Sequence, residues 1–309
     1  MKRIGGDVDG PEGYLAIAFD DRRYLDLAVN LALSVRRCEA RPISVIVNAG
    51  IDLPPSERAL FDQVIVAPPE DTLRGAMNKA RLYDLTPYAR TMYVDSDCIL
   101  FSPRIEHFWH KYRGHAVAVE GHRQTGGPVF ACSLGAKDAA NLCAQLHLPY
   151  ITVFNAGVIY FERTDAALAV FDKVKHLHAG PLRDVISYQY KHKGEYADEP
   201  FFGVALASFG VPPFEPALTA RLQVTTPNVV DGVMDLDTGD LRLVKQPPGG
   251  TAQLWAGVLC HFCGLAPMKT YFDLADRLRT EAGLPLMDRA LFQPVLLTAT
   301  HHTEAMTHP

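Results

Sequence analysis

From Tyr14 to Val94 the chain alternates short apolar runs with amphipathic stretches, and this alternation constrains the fold most. Tyr14 to Phe19, Ile43 to Val47, Gln63 to Ala67 and Thr91 to Val94 read as strands rich in β-formers. Between the first two, Leu25, Ala28, Val29, Ala32, Leu33 and Val35 share one side of a helix that Asp20 or Asp21 can cap. Pro54 to Phe61 and Asn78 to Leu85 read as further helices. Strands alternating with helices predict βαβ units around a mostly parallel sheet, an α/β fold.

The second half is more mixed. His115 to Val119, Phe154 to Phe161 and Leu254 to Cys260 are strand-like. Ala166 to Leu177, Asp184 to Lys191, Glu199 to Ser208 and Tyr271 to Ala282 read as helices. Asp231 to Val244 reads as a hairpin turning at Asp237-Thr238-Gly239-Asp240. The expected organisation is a loose lead-in over 1–13, one domain over 14–295 and a disordered tail over 296–309.

Composition narrows the partners. With 30 basic against 35 acidic residues and a net charge of -5, nothing favours nucleic acid. The 6 cysteines form no secreted disulfide framework, no signal peptide is visible, and no apolar run has spanning length. The expectation is a cytoplasmic protein without a transmembrane segment, with peripheral membrane contact left open.

The stretch Thr91-Met92-Tyr93-Val94-Asp95-Ser96-Asp97 carries the chemistry. Asp95 and Asp97 sit two apart just beyond a strand, so an extended backbone points both carboxylates one way. Neighbouring negative charges repel, which calls for a cation between them. Ligands of open α/β sheets bind outside such carboxyl ends of strands. A divalent ion held by hard oxygen ligands fits.

Five stretches in order resemble the retaining nucleotide-sugar glycosyltransferases of family eight, which include glycogenin and lipopolysaccharide galactosyl- and glucosyltransferases. They are Ala16-Ile17-Ala18-Phe19-Asp20-Asp21 with Tyr24, Asn78-Lys79 with Arg81, Tyr93 to Asp97, Phe154-Asn155-Ala156-Gly157-Val158, and His261-Phe262-Cys263-Gly264. The resemblance implies a GT-A fold, a Rossmann-like mixed, mostly parallel sheet flanked by helices. It implies a metal-dependent hexosyltransferase moving a sugar from a UDP-sugar to an external glycan, lipid-linked or small-molecule acceptor. It makes Asp95, Asp97 and His261 the ligands of Mn²⁺ (or Mg²⁺). Ala18, Phe19, Asp20 and Tyr24 would hold the uridine. Lys79, Arg81, Ser96, Asn155, Ala156, Gly157 and Gly264 would contact the sugar or diphosphate.

Two departures matter. Asp198-Glu199 stands where the family has Asp-Gln, and a glutamate there can steady or attack an oxocarbenium-like centre. After Gly264 the family lysine comes two residues late, as Lys269, and the following Trp is absent. Asp198, Glu199 and Lys269 are the expected catalytic residues, with Lys269 assisting the leaving diphosphate. The chain has no tyrosine between Asp198 and His261, so self-glucosylation as in glycogenin is not expected. An inactive GT-A binding module and a haloacid-type phosphatase are the alternatives; the latter expects a threonine where Cys98-Ile99-Leu100 follows. Cys260-His261-Phe262-Cys263 lacks a second cysteine pair at zinc spacing. Asp235-x-Asp237-x-Gly239 lacks the closing glutamate of a calcium loop.

Overall fold

The structure is a computed structural model that describes residues 10–19, 21–70, 72–127, 138–187, 195–247 and 249–292. In chain order the first half runs β1 (Glu12–Ala18), α1 (Arg22–Cys38), β2 (Ile43–Val47), α2 (Pro55–Arg58), β3 (Val64–Val66), a 3₁₀ helix (Gly75–Arg81), α3 (Leu82–Leu85), β4 (Arg90–Val94), β5 (Cys98–Leu100) and α4 (Ile105–Tyr112). The second half runs β6 (Val117–Ala118), β7 (Gly121–Gln124), α5 (Ala139–Leu146), β8 (Ile151–Phe154), β9 (Val158–Glu162), α6 (Asp165–Ala179), α7 (Arg183–Ile186), α8 (Glu199–Ser208), β10 (Arg221–Thr225), β11 (Val229–Asp235), β12 (Asp240–Lys245), β13 (Gln253–His261) and α9 (Met268–Glu281).

The main sheet has the order β3-β2-β1-β4-β9-β6. The first four strands are parallel, and β9 and β6 close the edge antiparallel. The α/β expectation holds. Both faces of β1, β2 and β4 are covered, which is why these strands read as continuous apolar runs. Tyr14, Ala16 and Ala18 pack with α1 and Trp109 on one face, and Leu15, Tyr93 and Phe161 pack with Phe171 and Phe201 on the other. Each such buried aromatic contributes about 1.5–3 kcal/mol. Asp21 caps α1, its side chain accepting from the Arg23 amide at 2.9 Å.

β1 begins at Glu12, two residues ahead of the expected strand. Three guanidiniums, of Arg41, Arg90 and Arg113, converge on that carboxylate and fasten the strand entrance. Residues 1–9 and 293–309, including the expected tail, lie outside the described residues. So does the end of the helix expected at Asp184 to Lys191; the described part is α7.

Two differences from the sequence reading position the site. The run Phe154 to Phe161 is two strands in different sheets, because Asn155 breaks it: its Oδ1 accepts the Gly157 amide at 3.0 Å, a local turn that competes with strand pairing. The helix expected over Asn78 to Leu85 begins earlier, as the 3₁₀ turn at Gly75, and becomes α-helical at Leu82. Directly after Asp97 the chain leaves the main sheet. β5 pairs antiparallel with β13 in a second sheet ordered β10-β13-β12-β11. Asp95 to Asp97 therefore form the hinge between two sheets. The hairpin expected around Asp237 is β11 and β12.

Candidate active site

The hinge is held from both sides. The Asp95 amide donates to the Gly157 carbonyl at 2.8 Å, continuing the β4/β9 ladder. The Phe262 amide donates to the Asp97 carbonyl at 3.1 Å, continuing the β5/β13 ladder. Because β13 lies with His261 opposite Cys98, the imidazole arrives beside the hinge. His261 Nε2 lies 3.2 Å from Asp97 Oδ1 and 3.8 Å from Asp95 Oδ2. Its Nδ1 meets Asn155 Oδ1 at 2.8 Å. That oxygen only accepts, so Nδ1 carries the hydrogen and Nε2 faces the carboxylates. Gly157 is required here: a Cβ on it would stand 2.3 Å from His261 Nδ1.

Lys79 is the second centre. Its Nζ lies 3.0 Å from Asp95, 3.2 Å from Asp198 Oδ2 and 3.1 Å from the Ala156 carbonyl. The approach to Asp198 makes no hydrogen bond, so that buried oxygen keeps an open lone pair. Tyr93 donates its hydroxyl to Asp95 Oδ1 at 2.5 Å. Glu199, at the first turn of α8, accepts the Ala156 amide on Oε1 at 3.0 Å.

Burial opposes the charge of Lys79, but Asp198 and Asp95 outweigh it and hold its pKa well above the ordinary lysine value. Burial also opposes the Asp95 carboxylate, yet Lys79 and His261 hold its pKa below the usual range. Asp198 goes the other way: burial raises its pKa, Asp95 adds to the rise, and Lys79 only partly offsets it. His261 is raised well above its ordinary value against burial, chiefly by Asp97. Two neighbouring carboxyls with pKa values pushed apart is an arrangement found in acid–base sites.

A cleft of about 510 Å³ opens beyond the ends of β1, β2 and β3, lined among others by Phe19, Asn48, Arg74, Asn78 and Arg81. Its size is that of a small-molecule site, about 300–1,000 Å³. The expected binding residues divide accordingly. Phe19 and Arg81 line the cleft. Ala18 ends β1 in the core, and Ser96 is buried within the hinge. Asn155, Ala156 and Gly157 meet the His261 and Lys79 clusters. Tyr24 is 39% exposed on the first turn of α1 and does not line the cleft. Asp20 lies outside the described residues.

Gly264, at φ 65°, and Leu265, at φ 60°, turn the chain away just after His261. Lys269 then falls on the outward side of α9, with its side chain 86% exposed and its Nζ 2.6 Å from Asp273. The structure does not bring Lys269 into the cluster. Tyr93 and Gln223 belong to it without having been expected. Gln223 Nε2 donates to the Asn155 carbonyl at 2.8 Å. Tyr93 was findable, being two residues before Asp95 on one strand face. Gln223 was not, since nothing marked β10 as a strand.

Asp95, Asp97 and His261 Nε2, once a cation displaces the proton that Nε2 shares with Asp97, form a mixed oxygen and imidazole donor set, and that chemistry fits a divalent cation such as Mn²⁺.

No family model and no curated protein matches the chain. Solved structures do. The galactosyltransferase LgtC, solved with donor and acceptor sugar analogues, matches with a TM-score of 0.53 at 13% identity over 88% of this chain and 95% of that one. The bifunctional glycosyltransferase WbbM matches at TM-score 0.43 and 14% identity, over 70% of this chain and 40% of that one. Mouse xyloside xylosyltransferase 1 matches at TM-score 0.41 and 14% identity, over 70% and 88%. Among the described residues, no helix is long and apolar enough to cross a membrane. The mixed sheet, its flanking helices and the match to LgtC together identify the GT-A fold of glycosyltransferases.

Proposed function

We propose that the protein is a metal-dependent retaining glycosyltransferase that moves a hexose from a UDP-sugar to an external acceptor. The observation that carries this reading is the convergence of Asp95 and Asp97 on His261 Nε2, beside the Asn155-Ala156-Gly157 turn. The cleft takes the nucleoside, with Phe19 and Arg81 on its wall. A divalent ion bound by Asp95, Asp97 and His261 supplies the positive charge that the departing diphosphate needs. Asn155 offers its side-chain NH₂ to sugar hydroxyls, and Asp198 offers its open Oδ2 lone pair. Glu199, held by the Ala156 amide, presents its carboxylate beside the same turn to steady positive charge at the anomeric carbon. Lys79 holds Asp95 ionised and sets the spacing of Asp95 and Asp198.

Incubation with a panel of nucleotide sugars, with and without Mn²⁺, tests this. Slow Mn²⁺-dependent release of UDP is expected, and full activity in excess chelator overturns the metal assignment. Tighter binding of GDP or CDP than UDP overturns the nucleotide. One observation favours an inactive nucleotide-sugar-binding module instead: Lys269 faces solvent. Donor binding with no hydrolysis or transfer across the panel would select that reading.

A further inference from the structure

Cys98 takes no part in the proposed reaction. It opens β5, is fully buried, and lies directly opposite His261 in the antiparallel pairing with β13. Directly opposed residues hold their Cβ atoms about 4.5–5.5 Å apart on one sheet face. One ligand atom each from Asp97, Cys98 and His261 lies within 4.8 Å of the others. The three atoms are an oxygen, a sulfur and an imidazole nitrogen. The nitrogen is already aimed, because Nδ1 is tied to Asn155 while Nε2 faces Asp97. A second hydrogen bond that fixes ring orientation is what metal-binding histidines use. Asp95 differs: its oxygens are engaged by Tyr93 and Lys79. Spacing along the chain hid this set, since the sulfur comes from β5 and not from the Cys260-His261-Phe262-Cys263 run.

We propose that Asp97, Cys98 and His261 form a binding site for a thiophilic divalent cation of the zinc class, with Cys98 as a thiolate ligand and the fourth position open. On binding, the Cys98 S–H bond and the His261 Nε2–H bond break, sulfur–metal and nitrogen–metal bonds form, and the protons pass to solvent; no electron moves. Hard cations seek oxygen and gain little from sulfur, whereas zinc and cobalt take thiolate, imidazole and carboxylate together. A zinc-class ion therefore gains a third protein ligand that Mn²⁺ does not use, competes for Asp97 and His261, and inhibits any activity that depends on Mn²⁺.

The test uses the full chain with cobalt alone and no nucleotide, so it is independent of sugar transfer. Adding Co²⁺ gives a near-ultraviolet sulfur-to-cobalt charge-transfer band that saturates near one equivalent, with release of protons, and Zn²⁺ abolishes it. Cys98→Ser removes the band while circular dichroism and thermal midpoint stay close to wild type. Asp97→Asn weakens cobalt about 10- to 100-fold. Cys263, which also lies beside the His261 ring, serves as the control, and Cys263→Ser keeps the band. If Cys98→Ser does not fold, X-ray absorption of zinc-loaded Cys263→Ser decides, with one sulfur among the ligands expected. No band in wild type, a band unchanged in Cys98→Ser, a band lost in Cys263→Ser, or a shell of oxygen and nitrogen only overturns the proposal.

Discussion

The hinge between the two sheets and the turn into α9 each bring a lysine that resembles a donor-site cation, and the two lysines end in opposite surroundings. Lys79 is 7% exposed and stands between Asp95 and Asp198. The Lys269 side chain is 86% exposed and, among the described residues, pairs only with Asp273, one helical turn on. The backbone explains the difference. Lys79 sits where the 3₁₀ turn runs under the ends of β4 and β9. Lys269 follows Pro267, the residue that caps α9, and the buried side of that helix belongs to Tyr271, Phe272, Leu274 and Ala275. A lysine there can only face outward. Motif resemblance identifies a residue type, whereas the local element decides where the side chain goes.

Breaking the hinge has the largest expected effect. Asp97→Ala removes a carboxylate from the donor set, and Mn²⁺-dependent donor turnover should fall about 10³-fold, or about 4 kcal/mol in the barrier. The carboxylate also pairs with the buried His261 ring at 3.2 Å, so circular dichroism should establish that the variant is folded before its turnover is read. Wild-type turnover in this variant would dissolve the hinge as the active centre. Lys79→Met should instead cost stability. It leaves the buried Asp198 carboxyl facing the half-buried Asp95, and stranding one side of a buried ion pair costs about 3–5 kcal/mol. Urea unfolding measures this, and Lys79→Met with Asp198→Asn should recover part of the loss. A loss indistinguishable from that of Lys269→Ala would erase the contrast between the two lysines.

The parallel half of the fold was legible because β1, β2 and β4 are apolar runs buried on both faces, and the half-buried edge strand β3 is apolar as well. The hinge was legible in part. Asp95, Asp97 and Asn155 lie beside strand ends that periodicity can find. Three other features were not readable. β5 is a three-residue strand that continues an apolar run yet belongs to another sheet. β10 carries Gln223 in a segment without a strand signature. The exposed fate of Lys269 follows from where α9 starts, and the sequence put that start at Tyr271, three residues too late.

Asn155→Ala sharpens the comparison within the hinge. It removes the acceptor that orients His261, and metal affinity should fall about 10- to 100-fold with the ligands intact. Titration with Mn²⁺ measures it, and unchanged affinity would mean the imidazole is held by Asp97 alone. A third lysine extends the contrast to pH. Lys245 is 7% exposed, and its partners are the Thr225 hydroxyl at 2.7 Å and the Trp255 face at 4.4 Å. Burial lowers its pKa to about 8, the reverse of Lys79. The unfolded chain then binds more protons than the folded one between about pH 8 and the usual lysine value near 10.4. The penalty is full below pH 8 and relieved above it, so stability contributed by this site rises across that window. Lys245→Met should flatten the rise in unfolding free energy. An identical pH profile would mean that the ammonium is solvated.

The smallest effect belongs to Lys269. Its one ion pair among the described residues is exposed and spans a single turn of helix, and such pairs are worth about 0.3–0.5 kcal/mol. Lys269→Ala should therefore shift stability within about 0.5 kcal/mol, as exposed substitutions do. Turnover needs a separate argument. An ammonium that touched the departing diphosphate would contribute about 1.5–3 kcal/mol as a charged hydrogen bond. At 1.36 kcal/mol per tenfold, its removal would slow turnover by about 10- to 150-fold. The outward position on α9 predicts the other limit, a change of less than about threefold, equivalent to about 0.65 kcal/mol. The same limit should hold for Asp273→Ala, which frees the lysine without removing it. A large loss of kcat in Lys269→Ala with unchanged stability would show that α9 reorients when donor binds. The turn at Gly264 and Leu265 would then be the pivot, and the two regions would act as one site.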